Sequence, residues 1–407
     1  MEKVKIAFVG TGGYGNYLLG LLEKEVDHDL YDLRAVIDPF VKSAPRYQWF
    51  VENHIPMYDT LEDFYAHDTA ELVFIATPIH LHKQQCITAM RHGSHVMCEK
   101  PLVPLVQDVY DLKKVSQETG RFLGVGFQWS FYPSILAIKE DFLSGKLGKP
   151  KMLKSYIAWQ RFDSYYGRNG WSAHIRSKNG DWVLDSIVTN ATAHYLHNIF
   201  FMMGDTLAGS RLPSVVKTAM YRAKDIESFD TCVAGGEFDN GARFIYLASH
   251  STEINRDPVI EYEFENAVVR GDMNQKDSHL VATFRDGSTK DYGLVNGDSY
   301  TAVKLITALK AVRGEAQLTS DPDSILPHLI VCDAMLDQDD IHDFPKDLVY
   351  RVEGDNPGTF VHGLYDDLRR CFDDGKLPSE EGFSWAFPEK KLDVADYREF
   401  KGTKFQK

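Results

Sequence analysis

The sequence predicts an α/β chain: a doubly wound parallel sheet at the N-terminus, followed by an α+β domain with a large open, mainly antiparallel sheet. Three observations carry that reading. A strand, a glycine-rich turn and a helix open the chain; strands and helices then alternate over the first third; and strand follows strand with few helices between residues 151 and 285. At 407 residues the chain is long for one compact domain, because roughly 100–200 residues per domain is usual. The expected divisions are 1–125, 126–340 and a C-terminal extension, 341–407, packing on the domains or on an interface.

Val4–Val9 is apolar and bounded by glycine, which reads as a buried strand. Gly10-Thr11-Gly12-Gly13-Tyr14-Gly15 follows, then the helical stretch Asn16–Lys24. In this order Gly10 permits the tight turn, Gly12 lets backbone approach a pyrophosphate, and Gly15 lets helix pack closely on strand. The helix N-terminus then meets the phosphate charge. A lone G-x-G-x-x-G also serves plain chain reversals, but the flanking strand and helix supply the context of a Rossmann dinucleotide site.

The next strand, Leu33–Ile37, ends in Asp38, where a carboxylate accepts hydrogen bonds from ribose hydroxyls and repels a 2′-phosphate. That favours NAD over NADP, although Asp38 before Pro39 is also an ordinary turn residue, and Lys42 and Arg46 are cations that could meet a phosphate. After a helix near Thr60–His67, the strand Glu71–Ala76 ends at Thr77-Pro78, with His82 just before the helix Lys83–His92. His95–Cys98 ends at Glu99-Lys100-Pro101. In such sheets ligands gather outside the carboxyl ends of the strands, and Gly10, Asp38, Thr77 and Lys100 all stand at such ends.

These residues resemble the Gfo/Idh/MocA oxidoreductase family. The resemblance rests on GTGGYG, ATPIHLH at 76–82 and HVMCEKPL at 95–102, in the family's order and approximate spacing, with Gly126-Phe127-Gln128 similar to the segment that reaches the nicotinamide. Ile79 departs from the pattern, standing where the family has asparagine. The resemblance implies NAD held by Gly10, Gly12, Gly13, Tyr14, Gly15, Asp38, Thr77, Pro78, His82, Glu99, Lys100 and Gln128. It also implies hydride transfer at a hydroxyl or keto carbon of a sugar, polyol or sugar-like substrate, and a homo-oligomer, dimer or tetramer. A lysine at a strand end is commonly just solvated; in this setting Lys100 would bond the substrate oxygen and stabilise developing alkoxide, with Glu99 orienting cofactor or lysine.

Farther along, Lys151–Gln160, Ser214–Arg222, Asp230–Phe238, Arg243–His250, Val259–Glu265 and His279–Arg285 read as strands, with hairpin turns at Asp239-Asn240-Gly241 and Asp286-Gly287. Helices are expected at Tyr300–Arg313, Asp323–Asp337 and Thr359–Asp374, the last capped by Thr359 and closed by Gly375.

Asp185 to Gly204 reads as one helix. At about 100° per residue Asn190, His194, His197 and Phe201 share one side, beside an apolar stripe of Leu196, Phe200 and Met203. The family resemblance places His194 on a catalytic histidine, with Asn190 and His197 on its two aspartate positions. His194 is then the general base, and Asn190 and His197 touch substrate. The bland reading is two ordinary helix histidines bonded to neighbours. Asp185 would stand about 180° round a continuous helix from His194, converging only if residues before 190 leave helical geometry. Trp171 and Arg176, in an aromatic loop ahead of the helix, suit a sugar face and hydroxyls, or equally a packing anchor.

Lysine and arginine number 45 against 59 aspartates and glutamates, a net charge of −14 that repels phosphate backbones and anionic lipid. Neither nucleic acid nor membrane is therefore expected as a partner. No apolar run reaches membrane-spanning length, and the opening MEKVKIAFVG lacks a signal-peptide pattern. Five isolated cysteines fit a reducing cytoplasm. A zinc site from Asp185, His194 and His197 lacks supporting motifs, so no metal is expected. The expected activity is an NAD(P)-dependent dehydrogenase acting on CH–OH donors. Two alternatives stand beside it: an NAD-dependent glycoside hydrolase working through a transient keto sugar, and a non-catalytic nucleotide-bound sensor or adaptor.

Overall fold

A computed structural model of the chain describes residues 2–275, 278–295 and 297–405. It divides into two compact units: one from residues 1–132 with 296–325, the other from 133–295 with 326–407. The first expected boundary, after residue 125, therefore falls seven residues early, and the first unit takes back a segment from far along the chain. The expected third division joins the second unit.

The first unit holds a six-stranded sheet of β1 (Val4–Val9), β2 (Tyr31–Ile37), β3 (Met57–Tyr58), β4 (Leu72–Ile75), β5 (His95–Cys98) and β6 (Leu123–Val125), ordered β3-β2-β1-β4-β5-β6. Every pairing is parallel. The order reverses between β1 and β4, which opens the crevice typical of ligand binding at the strand ends. Val4, Ile6 and Phe8 of β1 pack with Leu18, Leu19, Leu21 and Leu22 of the helix Gly13–Glu25, and that core is completed by Ala302, Leu305, Ala308 and Leu309 of the returning helix Asp298–Val312. The helix after the glycine turn begins three residues earlier than expected, because the turn itself winds into its first residues.

The second unit is built on ten strands in one mixed sheet: β7 (Pro150–Ala158), β8 (Val215–Arg222), β9 (Thr231–Glu237), β10 (Arg243–Ser249), β11 (Arg256–Phe264), β12 (Ala267–Asp272), β13 (His279–Phe284), β14 (Thr289–Leu294), β15 (Ile341–Asp343) and β18 (Lys390–Leu392). β7 pairs β10, and β8 pairs β15, in parallel; the remaining pairings are antiparallel. β16 (Val349–Val352) and β17 (Gly358–Val361) form a separate hairpin.

Thr359, expected to cap a helix, sits in that hairpin opposite Arg351, and the helix begins later, at Leu364–Asp374 behind Gly363. Gly375 ends it in the left-handed conformation, as read from the sequence. Leu364, Leu368, Cys371 and Phe372 of this helix, with Trp385, pack on Tyr156, Tyr221, Val233 and Leu247 of the sheet. Residues after 341 thus cover a face of their own unit.

Candidate active site

In the first unit the glycine turn is shaped by contacts that a side chain would break. A Cβ at Gly10, where φ is +90°, would stand 2.6 Å from the Ala76 carbonyl oxygen, and one at Gly15 would stand 2.2 Å from that of Gly10. Gly12 and Gly13 face open space instead, with nothing within 4 Å. The helix that begins there has no side-chain cap and no acidic residue in its first turn, so its N-terminal partial charge is uncompensated. A cradle open above and closed below, at a bare helix N-terminus, fits a dinucleotide pyrophosphate.

Asp38 closes the turn: its Oδ2 accepts from Thr11 N at 2.8 Å and Thr11 Oγ1 at 2.7 Å, and its Oδ1 accepts from Phe40 N at 2.8 Å. Arg46, one of the two cations that could meet a 2′-phosphate, is held by Glu23 at 2.5 Å.

At the ends of β4 and β5 the side chains are already engaged. Thr77 Oγ1 donates to Gln85 Oε1 at 2.6 Å, and Pro78 precedes the helix Ile79–Arg91. Ile79 is buried. His82 is buried as well, with Nε2 at 2.8 Å from the Thr77 carbonyl and Nδ1 at 3.0 Å from that of Pro101. Burial holds its pKa below the ordinary value although these carbonyls favour a proton. Expected to touch the cofactor, His82 instead ties two strand-end turns together from below.

Glu99 is nearly buried; its Oε1 accepts from Lys304 Nζ at 2.5 Å, and Lys304 has no solvent exposure. Lys304 Nζ also lies 3.3 Å from the Tyr14 hydroxyl, which donates to Gln128 Oε1 at 2.9 Å. The Tyr14 ring is partly exposed while its hydroxyl turns inward, and burial, then Glu99, pushes its pKa well up. A Cβ at Gly126 would stand 2.6 Å from the Glu99 carboxylate. Lys100, half-buried, follows Glu99 and precedes a cis Pro101. The buried lysine was missed from sequence, because nothing in the periodicity of its helix separates Lys304 from a solvated lysine.

In the second unit the expected continuous helix is broken. Ser186 caps a π-helical turn, Ile187–Ala191, which hands over to the α-helix Ala193–Met202. The wider turn brings Asp185 back: its Oδ1 accepts from Asn190 Nδ2 at 2.8 Å and its Oδ2 from Ala173 N at 2.6 Å. The residues before 190 thus leave α-helical geometry, and Asp185 reaches Asn190. From Val183 to Gly204 only Asn190, Ala191 and His194 are not buried.

His197, expected to touch substrate, has no exposure and lies against Phe201 and His328. Burial, then His328 and Lys139, drives its pKa well down. Arg176, expected at a sugar, stacks on Trp182 at 3.4 Å and donates to the Gly180 carbonyl within its own small hairpin. Trp171 is half-buried in the same loop. Another unforeseen pair is Tyr166, whose hydroxyl stands 2.9 Å from His250 Nδ1. Among the described residues no group of three or more His, Cys, Asp or Glu is gathered as a metal site requires, and no helix is long and apolar enough to cross a membrane.

Comparison with known proteins bears on this arrangement. Residues 4–127 match the model of the Gfo/Idh/MocA family, described as an oxidoreductase family with an NAD-binding Rossmann fold. The chain is 29% identical over 213 residues to a 2,7-anhydro-N-acetylneuraminate hydratase of Mediterraneibacter gnavus, covering 50% of each chain. It is 29% identical over 140 residues to a scyllo-inositol 2-dehydrogenase (NADP(+)) of Bacillus subtilis, covering 34% of this chain and 40% of that one. The matches span about half or less of the length of several curated relatives. Among solved structures, the WlbA dehydrogenase from Bordetella pertussis, in complex with NADH and UDP-GlcNAcA, superposes with a TM-score of 0.64 at 20% identity, over 81% of this chain and 94% of that one. At that identity the likeness is one of fold. The strand-end motifs, the six-stranded parallel sheet and the match over residues 4–127 agree: this segment carries the NAD-binding Rossmann fold of the Gfo/Idh/MocA oxidoreductase family.

Proposed function

We propose that the protein is an NAD(P)-dependent oxidoreductase acting at a hydroxyl-bearing carbon of a sugar, polyol or sugar-like molecule, with NAD preferred. The observation that carries this reading is the glycine turn, closed beneath Gly10 and Gly15 and open above Gly12 and Gly13 at a bare helix N-terminus. The preference for NAD is supported by Asp38, an anion at the second strand end, and by Arg46 being spent on Glu23. The bound nicotinamide would supply the hydride acceptor or donor. Lys100 is assigned the reacting oxygen, as a cationic donor that stabilises alkoxide, and His194 the hydroxyl proton, as general base. Trp171 is assigned an apolar face of the substrate. The relatives named for an inositol and an anhydro-sialic acid, and the neighbour holding a nucleotide sugar, support the substrate class.

The test is turnover of a panel of inositols, aldoses and nucleotide sugars, followed by nicotinamide absorbance. His194→Ala and Lys100→Met should each cost on the order of a hundredfold or more, the scale of a lost general acid or base. Near-wild-type rates in both variants would remove the assignment. The relative named as a hydratase favours a second reading, since hydration leaves no net change in oxidation level. Under it, product forms from the panel without accumulation of NADH.

A further inference from the structure

Three observations converge on Asp185. The residue is 4% exposed, and its carboxylate holds both the Ala173 N–H and the Asn190 amide. Ala173 (φ 55°), which donates to Asp185, and Leu184 (φ 49°), which precedes Asp185 in the chain, lie in the left-handed region, where a residue with a Cβ is disfavoured, and they are two of only three such non-glycine residues among those described. The chain then widens into a π turn, a feature that recurs at functional sites. Strain, burial and irregular helix therefore coincide at one carboxylate, and strain of this kind is kept where surrounding structure over-determines it.

The chemistry fixes the orientation of the amide. An ionised carboxylate only accepts hydrogen bonds, so Asn190 must turn its NH2 toward Asp185, which directs Oδ1 the other way. His194 lies in the first turn of the α-helix that follows the π turn, and together with Asn190 and Ala191 it forms the accessible part of the segment.

We propose that Asp185 is a positioning residue of the active site, locking Asn190 so that its carbonyl oxygen is offered as acceptor to the His194 imidazole N–H. The pair then does with two residues what a single carboxylate would do: the amide makes the contact, and the charge stands one hydrogen bond behind it. Tyr165 and Tyr166 are titratable groups within electrostatic reach of Asp185. This rests on the reading of His194 as general base.

The experiment uses the full chain with ¹³C-labelled histidine, the His194 signal being identified by its loss in His194→Gln. Asp185→Asn should lower the midpoint of the His194 titration by about half a pH unit or more. The exchanged variant, Asp185→Asn with Asn190→Asp, should raise it above wild type. There the amide at 185 accepts from Ala173 and donates to the carboxylate at 190, so both bonds survive while the charge moves next to the imidazole.

A titration unchanged in a folded Asp185→Asn chain would show a purely structural carboxylate and overturn the proposal. So would an exchanged variant whose midpoint is no higher than wild type, or one that fails to fold although its hydrogen bonds are kept. Should Asp185→Asn alone not fold, the exchanged variant decides. The reading of His194 fails on a separate result, retained turnover in His194→Ala, which none of these titrations measures.

Discussion

Lys304 has no solvent contact and stands 2.5 Å from Glu99 Oε1. Removing one partner of such a pair leaves an uncompensated buried charge, which costs about 3–5 kcal/mol, whereas replacing both with neutral groups is often nearly neutral. Lys304→Met should therefore lower stability by about that amount in urea unfolding, and Lys304→Met with Glu99→Gln should recover most of it. A double variant no more stable than the single one would mean that the pair is not the unit of stabilisation. Both variants should also weaken NAD binding, since Glu99 and Tyr14 lose their shared partner. At this scale the sequence is least informative. Glycine positions and strand-end residues could be read from it, but not that Glu99 is answered by a lysine 205 positions on, nor that His197 points inward.

The helix Pro133–Leu143 carries Lys139 into the interior, where its Nζ donates to the Gly209 carbonyl and lies 3.6 Å over the Phe201 ring. Burial, only partly opposed by Asp205, brings its pKa from 10.5 to about 7. Between those values the unfolded chain holds a proton that the folded chain releases. Stability from this group therefore rises with pH across that window and is lowest below about 7. Lys139→Met should flatten the dependence, as read from denaturation midpoints at pH 6, 8 and 9.5; an unchanged slope would assign the dependence elsewhere.

Elements were legible where one period ran undisturbed. β7 to β11 and β13 lie within a few residues of the expected strands, because β11 and β13 alternate buried with more exposed side chains at a period of two, while β7, β9 and β10 are short buried runs bounded by turns. Asp185–Gly204 was misread because a π turn, bonded i→i+5, advances by a smaller angle than 100° per residue, and nothing in the composition of Ile187–Ala191 marks it. Thr359 was misread because a good cap residue is equally at home in a strand.

For the whole molecule, the main departure is the discontinuous first unit. Sequence placed a helix at Tyr300–Arg313 but could not say which core it joins, since amphipathic spacing names a buried face and not its partner. Ala302, Leu305, Ala308 and Leu309 are essentially unexposed against β1 and the helix Gly13–Glu25. A chain of residues 1–132 alone should therefore fail to give a cooperative thermal transition or to bind NAD. The same chain joined by a flexible linker to 297–325 should do both. Binding of equal strength by the two would show the returning helix to be dispensable.

That discontinuity also bears on biosynthesis. The nucleotide-binding unit opens the polypeptide yet lacks a wall of its core until residue 325 has been made, with residues 133–295 synthesised in between. At ~5–20 residues per second the interval is roughly 10–40 s. Over that time Leu18, Leu22 and Phe8 have no partner from the returning helix. On the ribosome, the first unit to be translated is held open, a client for chaperones until the late helix arrives.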